Sequence, residues 1–339
     1  MSLRTGLLGY GIAGRVFHAP LIAATPGAEL SAIVTADPGR RARAAAEHPG
    51  ATLLGTSDEL FELDLDLVVV ASPNRTHVPL ALAAVEAGVP VVVDKPFAPT
   101  AAEARRVLDA ARDRGVPVTV FQNRRWDSDF RAVRSLVAEG ALGEVARFES
   151  RFERWVPEVW DNWRELGAPE EAGGLLYDLG AHLVDQAVEL FGPVAGVYCE
   201  LDRRRPGVAV EDDVFVALTH RDGVRSHLWA SAAAPHHGPR FRVLGSKAAY
   251  VSHGLDPQEE ALATGKPFND LSTYGRLGLL DEAEEVVAPP GAYAEFYRLL
   301  VAALTGGGPL PVEPGSAVRV LEVIEAAFES ARTGKVVAP

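Results

Sequence analysis

The run TGLLGYGIAGRVFH at residues 5–18 restricts the fold more than any other stretch. Its apolar start reads as a buried strand. Gly9, Tyr10, Gly11, Ile12, Ala13 and Gly14 read as a tight turn, and Val16 onward as the first turn of a helix. A G-x-G-x-x-G between strand and helix lets the backbone approach a pyrophosphate closely and aims the helix N–H groups at the negative charge. The motif alone is weak, and its position between a strand and a helix at the start of the chain strengthens it. The bland alternative is a glycine-rich turn that binds nothing.

At 339 residues the chain exceeds what one hydrophobic core usually serves, so two domains are expected. A net charge of -13 argues against nucleic acid or an anionic membrane as partner, since both need clustered positive charge. Cys199 is the only cysteine, which excludes an intrachain disulfide and fits a reducing cytoplasm. The N-terminus runs into the first strand without a basic and apolar leader, and no apolar run approaches the roughly 20 residues of a membrane span.

A second strand at 29–34 ends near Thr35 and Asp37. In dinucleotide folds an acidic residue about 20 positions beyond the glycines holds the adenosine ribose hydroxyls and repels a 2′-phosphate. Thr35 is neutral here and Arg40 and Arg41 follow, so the reading leans to NADP over NAD. Asp37 keeps NAD open, and Arg40 as a mere solvated helix residue is the null. The continuously apolar 65–71 is the pattern of a parallel sheet covered on both faces. It runs into a loop with Ser72, Pro73, Asn74 and His77 that should lie against the cofactor beyond the strand end, Asn74 and His77 being its polar candidates. Alternatively Asn74 caps a helix over 79–87. Strands at 89–93 and 116–121 and a helix over 100–114 complete a doubly wound α/β domain of residues 1–123.

From 124 to 339 the grammar changes to α+β. A helix over 128–139 leads to a strand at 145–155, and helical periodicity returns over 173–191. Strands then follow at 194–201, 213–219, 224–232 and 240–244, joined by short turns, which implies a large, open, mostly antiparallel sheet. That open sheet is a plausible surface for a homodimer or homotetramer. Helices over 293–304 and 316–333 close the structure.

Two constellations could carry chemistry. Lys95 stands at the carboxyl end of a buried strand, before Pro96, where an ammonium can steady an alkoxide forming as hydride leaves. A surface lysine in a salt bridge is its null. Asp178 and His182 lie four apart on a predicted helix, so the carboxylate can orient an imidazole suited to take a hydroxyl proton near neutral pH. Such a pair is commonly a helix-surface feature, but Gly173, Gly174 and Gly180 around it suggest that something must approach closely. His18 either faces a nicotinamide or packs beneath it. Trp155, Trp160 and Trp163 either stack on a sugar ring or fill core, with core favoured. His236, His237 and His253 form no recognisable metal set, so no metal is expected.

The turn at Gly9 to Gly14, the S-P-N-x-x-H loop at Ser72 to His77, D-K-P at Asp94 to Pro96, NRRWDSDF from Asn123 and GGLLYDLGAHLVDQ from Gly173 together resemble the Gfo/Idh/MocA oxidoreductases, nearest to their NADP-dependent scyllo-inositol dehydrogenase group. The resemblance implies a Rossmann domain, an open-sheet domain and an active site between them. It places the family lysine on Lys95 and its aspartate and histidine on Asp178 and His182. It implies a commonly cis Lys-Pro bond and cofactor contacts extending to Asp94, Lys95 and Asn123. Substrate contacts are then Lys95, Arg124, Trp155, Asp178 and His182. Asp94 departs from the family's glutamate. The resulting expectation is an NAD(P)-dependent dehydrogenase of a cyclic polyol or sugar. A non-catalytic dinucleotide sensor, or a reductase of another carbonyl compound such as a tetrapyrrole or aldose, is the alternative.

Overall fold

In the computed structural model, which describes residues 2–167 and 171–339, the chain divides into two units. The first comprises Met1–Asn123, Glu259–Phe268 and Ala292–Val318, and the second Arg124–Gln258, Asn269–Gly291 and Arg319–Pro339. Two late segments that sequence reading assigns to the second domain therefore belong to the first.

The first unit is a doubly wound Rossmann sheet of six parallel strands: β1 (Leu3–Leu8), β2 (Ala28–Val34), β3 (Thr52–Leu54), β4 (Leu67–Val70), β5 (Val91–Asp94) and β6 (Val118–Phe121), in the order β3-β2-β1-β4-β5-β6. Helices α1 (Ala19–Ala24), α2 (Pro38–Glu47), α3 (Ser57–Phe61), α4 (His77–Glu86) and α5 (Ala101–Arg114) join the strands. Every residue of β4 and β5 is buried, which is why LVVV and VVVD can be so uniformly apolar and β-branched. The order reverses between β1 and β4, and in such sheets ligands sit beyond the carboxyl ends at that switch point. The late helix α10 (Ala294–Gly306) packs on α1 and sets Phe296 edge-on to Phe121, with ring centroids 4.9 Å apart. The chain beyond it is tied to β6 by the Thr119 hydroxyl, which donates to the Val312 carbonyl at 2.8 Å.

The second unit is built on eight strands: β7 (Val145–Glu153), β8 (Val194–Asp202), β9 (Asp213–His220), β10 (Arg225–Ser231), β11 (Phe241–Gly245), β12 (Ala249–Ser252), β13 (Tyr274–Gly278) and β14 (Glu284–Val287). Their order is β14-β13-β12-β11-β7-β10-β9-β8, antiparallel throughout except for the parallel β7–β10 pair. Helix α6 (Ser128–Ala138) precedes this sheet, and α7 (Trp163–Leu166), α8 (Ala181–Phe191) and α9 (Gln258–Ala263) interrupt it. The last helix, α11 (Pro314–Thr333), precedes the carboxyl end. Along β9 buried and half-buried residues alternate strictly, Val214, Val216 and Leu218 facing inward. Helix α8 lies on that inner face, where Phe191 meets Phe148 at 5.4 Å between ring centroids. The opposite face carries Phe215, His227 and Trp229, none of them fully buried, with the Arg151 guanidinium 3.9 Å above the Trp229 ring. No helix among the described residues is long and apolar enough to cross a membrane.

Candidate active site

At the end of β1 the three glycines answer three different demands. Gly9 sits at φ 106°, and a side chain there would come within 2.5 Å of the Ala71 carbonyl oxygen just past β4. Gly14 lies so close under the Gly9 carbonyl that any Cβ would collide with it, which brings the following helix tight against the strand. Around Gly11 the space is open. The nearest group to a Cβ there is the Arg40 guanidinium at 3.9 Å. That division into turn, open approach and close packing is what a dinucleotide pyrophosphate requires. The helix begins earlier than Val16, as a π-wound turn over Ala13–His18 that passes directly into α1. Tyr10 is buried with its hydroxyl on Glu47, while Ile12 is 64% exposed beside the turn.

Thr35 is buried just past β2. The nearby acid Asp37 is the N-cap of α2, its Oδ1 accepting from the Arg40 amide at 2.7 Å. Arg41 turns away and donates to the Leu53 carbonyl. Arg40 is solvent-exposed on α2, with its guanidinium 3.9 Å from where a Cβ of Gly11 would lie.

Past β4, Ser72 and Thr76 share a 2.6 Å hydrogen bond, and the Thr76 hydroxyl donates to the Pro73 carbonyl. Helix α4 starts at His77 with Thr76 at its N-cap, so Asn74, buried in the preceding 3-10 turn, is not its cap. His77, the other polar candidate of this loop, opens α4. Its ring is buried, with Nδ1 2.8 Å from the Pro96 carbonyl and Nε2 2.9 Å from the Ser72 carbonyl. Both partners are carbonyl oxygens and the neutral ring carries one N–H, so His77 donates to one of them at a time, lying against both the loop after β4 and the segment after β5. Burial pushes its pKa below the usual histidine range.

Asp94 ends β5 and Lys95 follows, half-buried, with a cis bond to Pro96. The Asp94 Oδ1 accepts from the Lys95 amide at 2.8 Å. Burial would raise this carboxyl, but the facing His18 ring and the Lys95 charge outweigh it and hold it below the usual range. His18 packs beneath rather than facing outward. It is fully buried, with Nδ1 2.6 Å from the Tyr297 hydroxyl and its ring against Phe121 at 4.2 Å. Sequence reasoning missed Tyr297, 279 positions from His18. It also missed Gln122, whose Oε1 is buried just past β6 without a hydrogen-bond partner among the described residues. Asn123 is buried beside it in a short 3-10 turn. An open glycine turn and an unsatisfied buried acceptor at the strand ends fit a nicotinamide dinucleotide, which carries both phosphates and amide donors.

In the second unit the motif from Gly173 is less regular than its periodicity suggests. A π-wound turn, Leu176–Gly180, carries Asp178, and α8 follows with His182 in its first turn. Extra-residue turns of this kind collect at functional sites. Gly174, at φ 89°, is where a side chain would strike the Glu211 carboxylate. Glu211 Oε1 accepts from the Leu176 amide at 3.1 Å, and its carbonyl accepts from the Leu175 amide. Nothing in the local sequence announces Glu211. Burial pushes its carboxyl up to about 7. Asp178 is half-buried, and His182 is buried with its ring 6.4 Å from the Phe152 centroid.

The same Phe152 ring lies 5.0 Å below the Arg124 guanidinium and 4.0 Å from that of Arg240, so the fold gathers Arg124 and His182 around one aromatic. Arg124 is held by the chain around it. The Gln186 amide donates to its carbonyl at 3.0 Å, and neighbouring Arg125 makes a buried bidentate pair with Asp185 at 2.8 and 2.7 Å. The tryptophans divide: Trp155 and Trp160 are 55% and 57% exposed and do not fill core, while Trp163 is half-buried at the start of α7. Among the described residues no group of His, Cys, Asp and Glu is arranged to hold a metal.

Residues 3–122 match the family model of an oxidoreductase family with an NAD-binding Rossmann fold, and residues 130–251 the GFO/IDH/MocA C-terminal domain. The chain is 44% identical over 341 residues to the uncharacterized oxidoreductase YdgJ of Escherichia coli, covering 98% of this chain and 97% of that one. It is 32% identical over 343 residues to scyllo-inositol 2-dehydrogenase (NADP(+)) IolW of Bacillus subtilis, covering 98% and 94%. A solved structure of yvaA from Bacillus subtilis superposes with a TM-score of 0.91 at 30% identity, over 100% of this chain and 99% of that one.

Proposed function

The chain belongs to the Gfo/Idh/MocA oxidoreductases, and from that premise we propose that it is a dehydrogenase oxidising a secondary alcohol of a cyclic polyol or sugar, with NADP preferred. The observation that carries the substrate class is likeness along almost the whole chain to an enzyme named for scyllo-inositol.

The residues that would hold the dinucleotide are the Gly9 to Gly14 turn, Ser72, Pro73, Asn74, Asp94, Lys95 and Asn123, with Thr35 and Arg40 at the adenosine end. Bound there, it supplies hydride transfer. Thr35 offers a hydroxyl and Arg40 a guanidinium, while Asp37 is committed to the α2 N-cap. That set suits a 2′-phosphate better than a diol. In this reading His182 takes the proton of the reacting hydroxyl, Asp178 orients its imidazole, and Lys95 steadies the developing alkoxide. Arg124 and the exposed Trp155 contact the rest of the polyol. The lone Cys199 suits a reducing cytoplasm. The half-buried aromatics of the outer sheet face suit a second copy of the chain, giving a homodimer or a homotetramer, which light scattering in solution reads directly.

The test is an absorbance screen at 340 nm of inositols and aldoses with NADP and NAD in turn, on wild type and Lys95→Ala. Reduction of NADP by an inositol, abolished in Lys95→Ala while NADPH still binds, is the expected result. Equal loss of turnover and cofactor affinity would make Lys95 an anchor only. Dinucleotide binding with no turnover on any alcohol or carbonyl compound would favour a sensor.

A further inference from the structure

We propose that His18 is a positioning residue for Lys95: braced by Tyr297 on one side, it presents an N–H to the Asp94 carboxylate on the other and so fixes the backbone from which Lys95 projects. The functional part of this inference rests on the catalytic reading of Lys95, and its structural part does not.

The chain of contacts has a definite polarity. The buried Tyr297 hydroxyl lies 2.6 Å from His18 Nδ1, and the Asp94 carboxylate faces the other ring nitrogen. With Nδ1 accepting from the phenol O–H, a ring proton is on Nε2, where the facing carboxylate favours it. That nitrogen is buried with no hydrogen-bond partner among the described residues, and it lies 3.9 Å from Asp94 Oδ1. At that separation the contact is electrostatic rather than a hydrogen bond, yet in a buried setting an N–H aimed at a carboxylate holds it effectively. The same Oδ1 accepts from the Lys95 amide at 2.8 Å.

Asp94 is thus gripped from two sides, by a side chain from the helix after the glycine turn and by the next residue's own amide. Beyond it, His77 binds the Pro96 carbonyl at 2.8 Å. Lys95 therefore sits between two residues whose polar groups each face a buried histidine. His18 is itself immobilised by Phe121, at 4.2 Å, and by Tyr297. A residue serving packing alone would need neither polar nitrogen.

Two substitutions separate the two nitrogens. His18→Asn keeps a polar atom near Nδ1 and removes the one facing Asp94. His18→Gln places an amide N–H near the position of Nε2. The chain has only four lysines, Lys95, Lys247, Lys266 and Lys335, so reductive methylation with 13C-formaldehyde gives a sparse NMR spectrum in which Lys95→Arg assigns the Lys95 signal. In His18→Asn the Lys95 signal should move toward the exposed-lysine position and kcat should fall about 10- to 100-fold. NADPH affinity, read by fluorescence titration, should change less than about threefold. His18→Gln should recover the wild-type Lys95 signal and most of the lost turnover. Adding His18→Asn to Lys95→Ala should cause no further loss.

An unmoved Lys95 signal in His18→Asn, an equal effect of the two substitutions, or a loss of NADPH affinity matching the loss of kcat would each overturn the proposal. If Lys95→Ala retains turnover, the catalytic reading of Lys95 fails, and the NMR comparison still decides whether His18 positions it. Should His18→Asn fail to fold, Tyr297→Phe removes one hydroxyl group from the far end of the same chain of contacts. It must move the Lys95 signal in the same direction.

Discussion

Adding one methyl group at Gly11 should separate cofactor binding from folding. Nothing in the folded chain stands closer to a Cβ at Gly11 than Arg40, at 3.9 Å, and the backbone there is not in the left-handed region. Replacing glycine by alanine at such a position stabilises a fold by about 0.4–1 kcal/mol, because the unfolded chain loses freedom. The methyl does, however, occupy the space through which a pyrophosphate approaches the turn. Displacing it sacrifices one or two charge-assisted hydrogen bonds to backbone amides, each worth roughly 1.5–3 kcal/mol. At 1.4 kcal/mol per tenfold, affinity for NADPH should fall at least about tenfold. Gly14→Ala is the contrast. Its methyl drives into the Gly9 carbonyl, whose carbon is 3.0 Å away and cannot yield without moving the strand end. Overpacking of this kind destabilises by roughly 1–3 kcal/mol. NADPH fluorescence titration and urea midpoints, measured on both variants, give the comparison. Undiminished NADPH affinity in Gly11→Ala would refute the assignment of the turn, and a drop in its urea midpoint matching that of Gly14→Ala would refute the geometry.

Three further outcomes follow from the second unit and the adenosine end. The buried Glu211 carboxyl, pushed up to about 7, keeps its proton in the folded chain over a range where the unfolded chain has released it. Its stabilising contribution is therefore complete below about pH 4.5 and is lost as pH rises to 7. Urea midpoints of wild type should fall across that window, Glu211→Gln should flatten the slope, and parallel slopes would sink the account. Arg125→Met should destabilise by about 3–5 kcal/mol by leaving Asp185 as an uncompensated buried charge, and adding Asp185→Leu should recover most of it. A single-variant loss under about 1 kcal/mol in urea titrations would show the pair to be solvated. Thr35→Asp should shift the ratio of NADP to NAD turnover toward NAD by at least about tenfold, since a carboxylate repels a 2′-phosphate. An unchanged ratio would remove Thr35 from cofactor choice.

How much of this was legible in advance depends on how far apart in the chain the causes lie. The glycine turn, the apolar β4 and β5 and the lysine at the end of β5 are local. Strand, turn and helix are adjacent in sequence, so periodicity and residue type suffice. Strands β12 to β14 lie beyond the sequence reading because each is only four or five residues long, and at the open edge, in β14, alternation is lost. The residues of β14 read exposed, exposed, half-buried, exposed. Helix α2, anticipated only in the reading of Arg40 as a helix residue, buries a single side chain, Ala44, and so has no apolar stripe to mark its bounds. The tryptophans misled because hydrophobicity predicts burial for a residue type and not for a loop position.

The supports of the site are the least readable. Gly174 signals that something must come close, but its partner Glu211 is 37 positions away by number and chosen by the fold of β9 and its preceding turn. His18 looks like an ordinary helix residue until Tyr297, from α10, meets its Nδ1 and leaves Nε2 turned on Asp94. Residues that would touch a cofactor or substrate must carry distinctive chemistry, and so they show in a sequence. Residues that hold them need only the right atom in the right place, and a histidine, glutamate or tyrosine meets that need without any local pattern. In the proposed reading, the short aspartate beside Lys95 works through a ring brought from elsewhere in the chain, and that dependence is written in three dimensions alone.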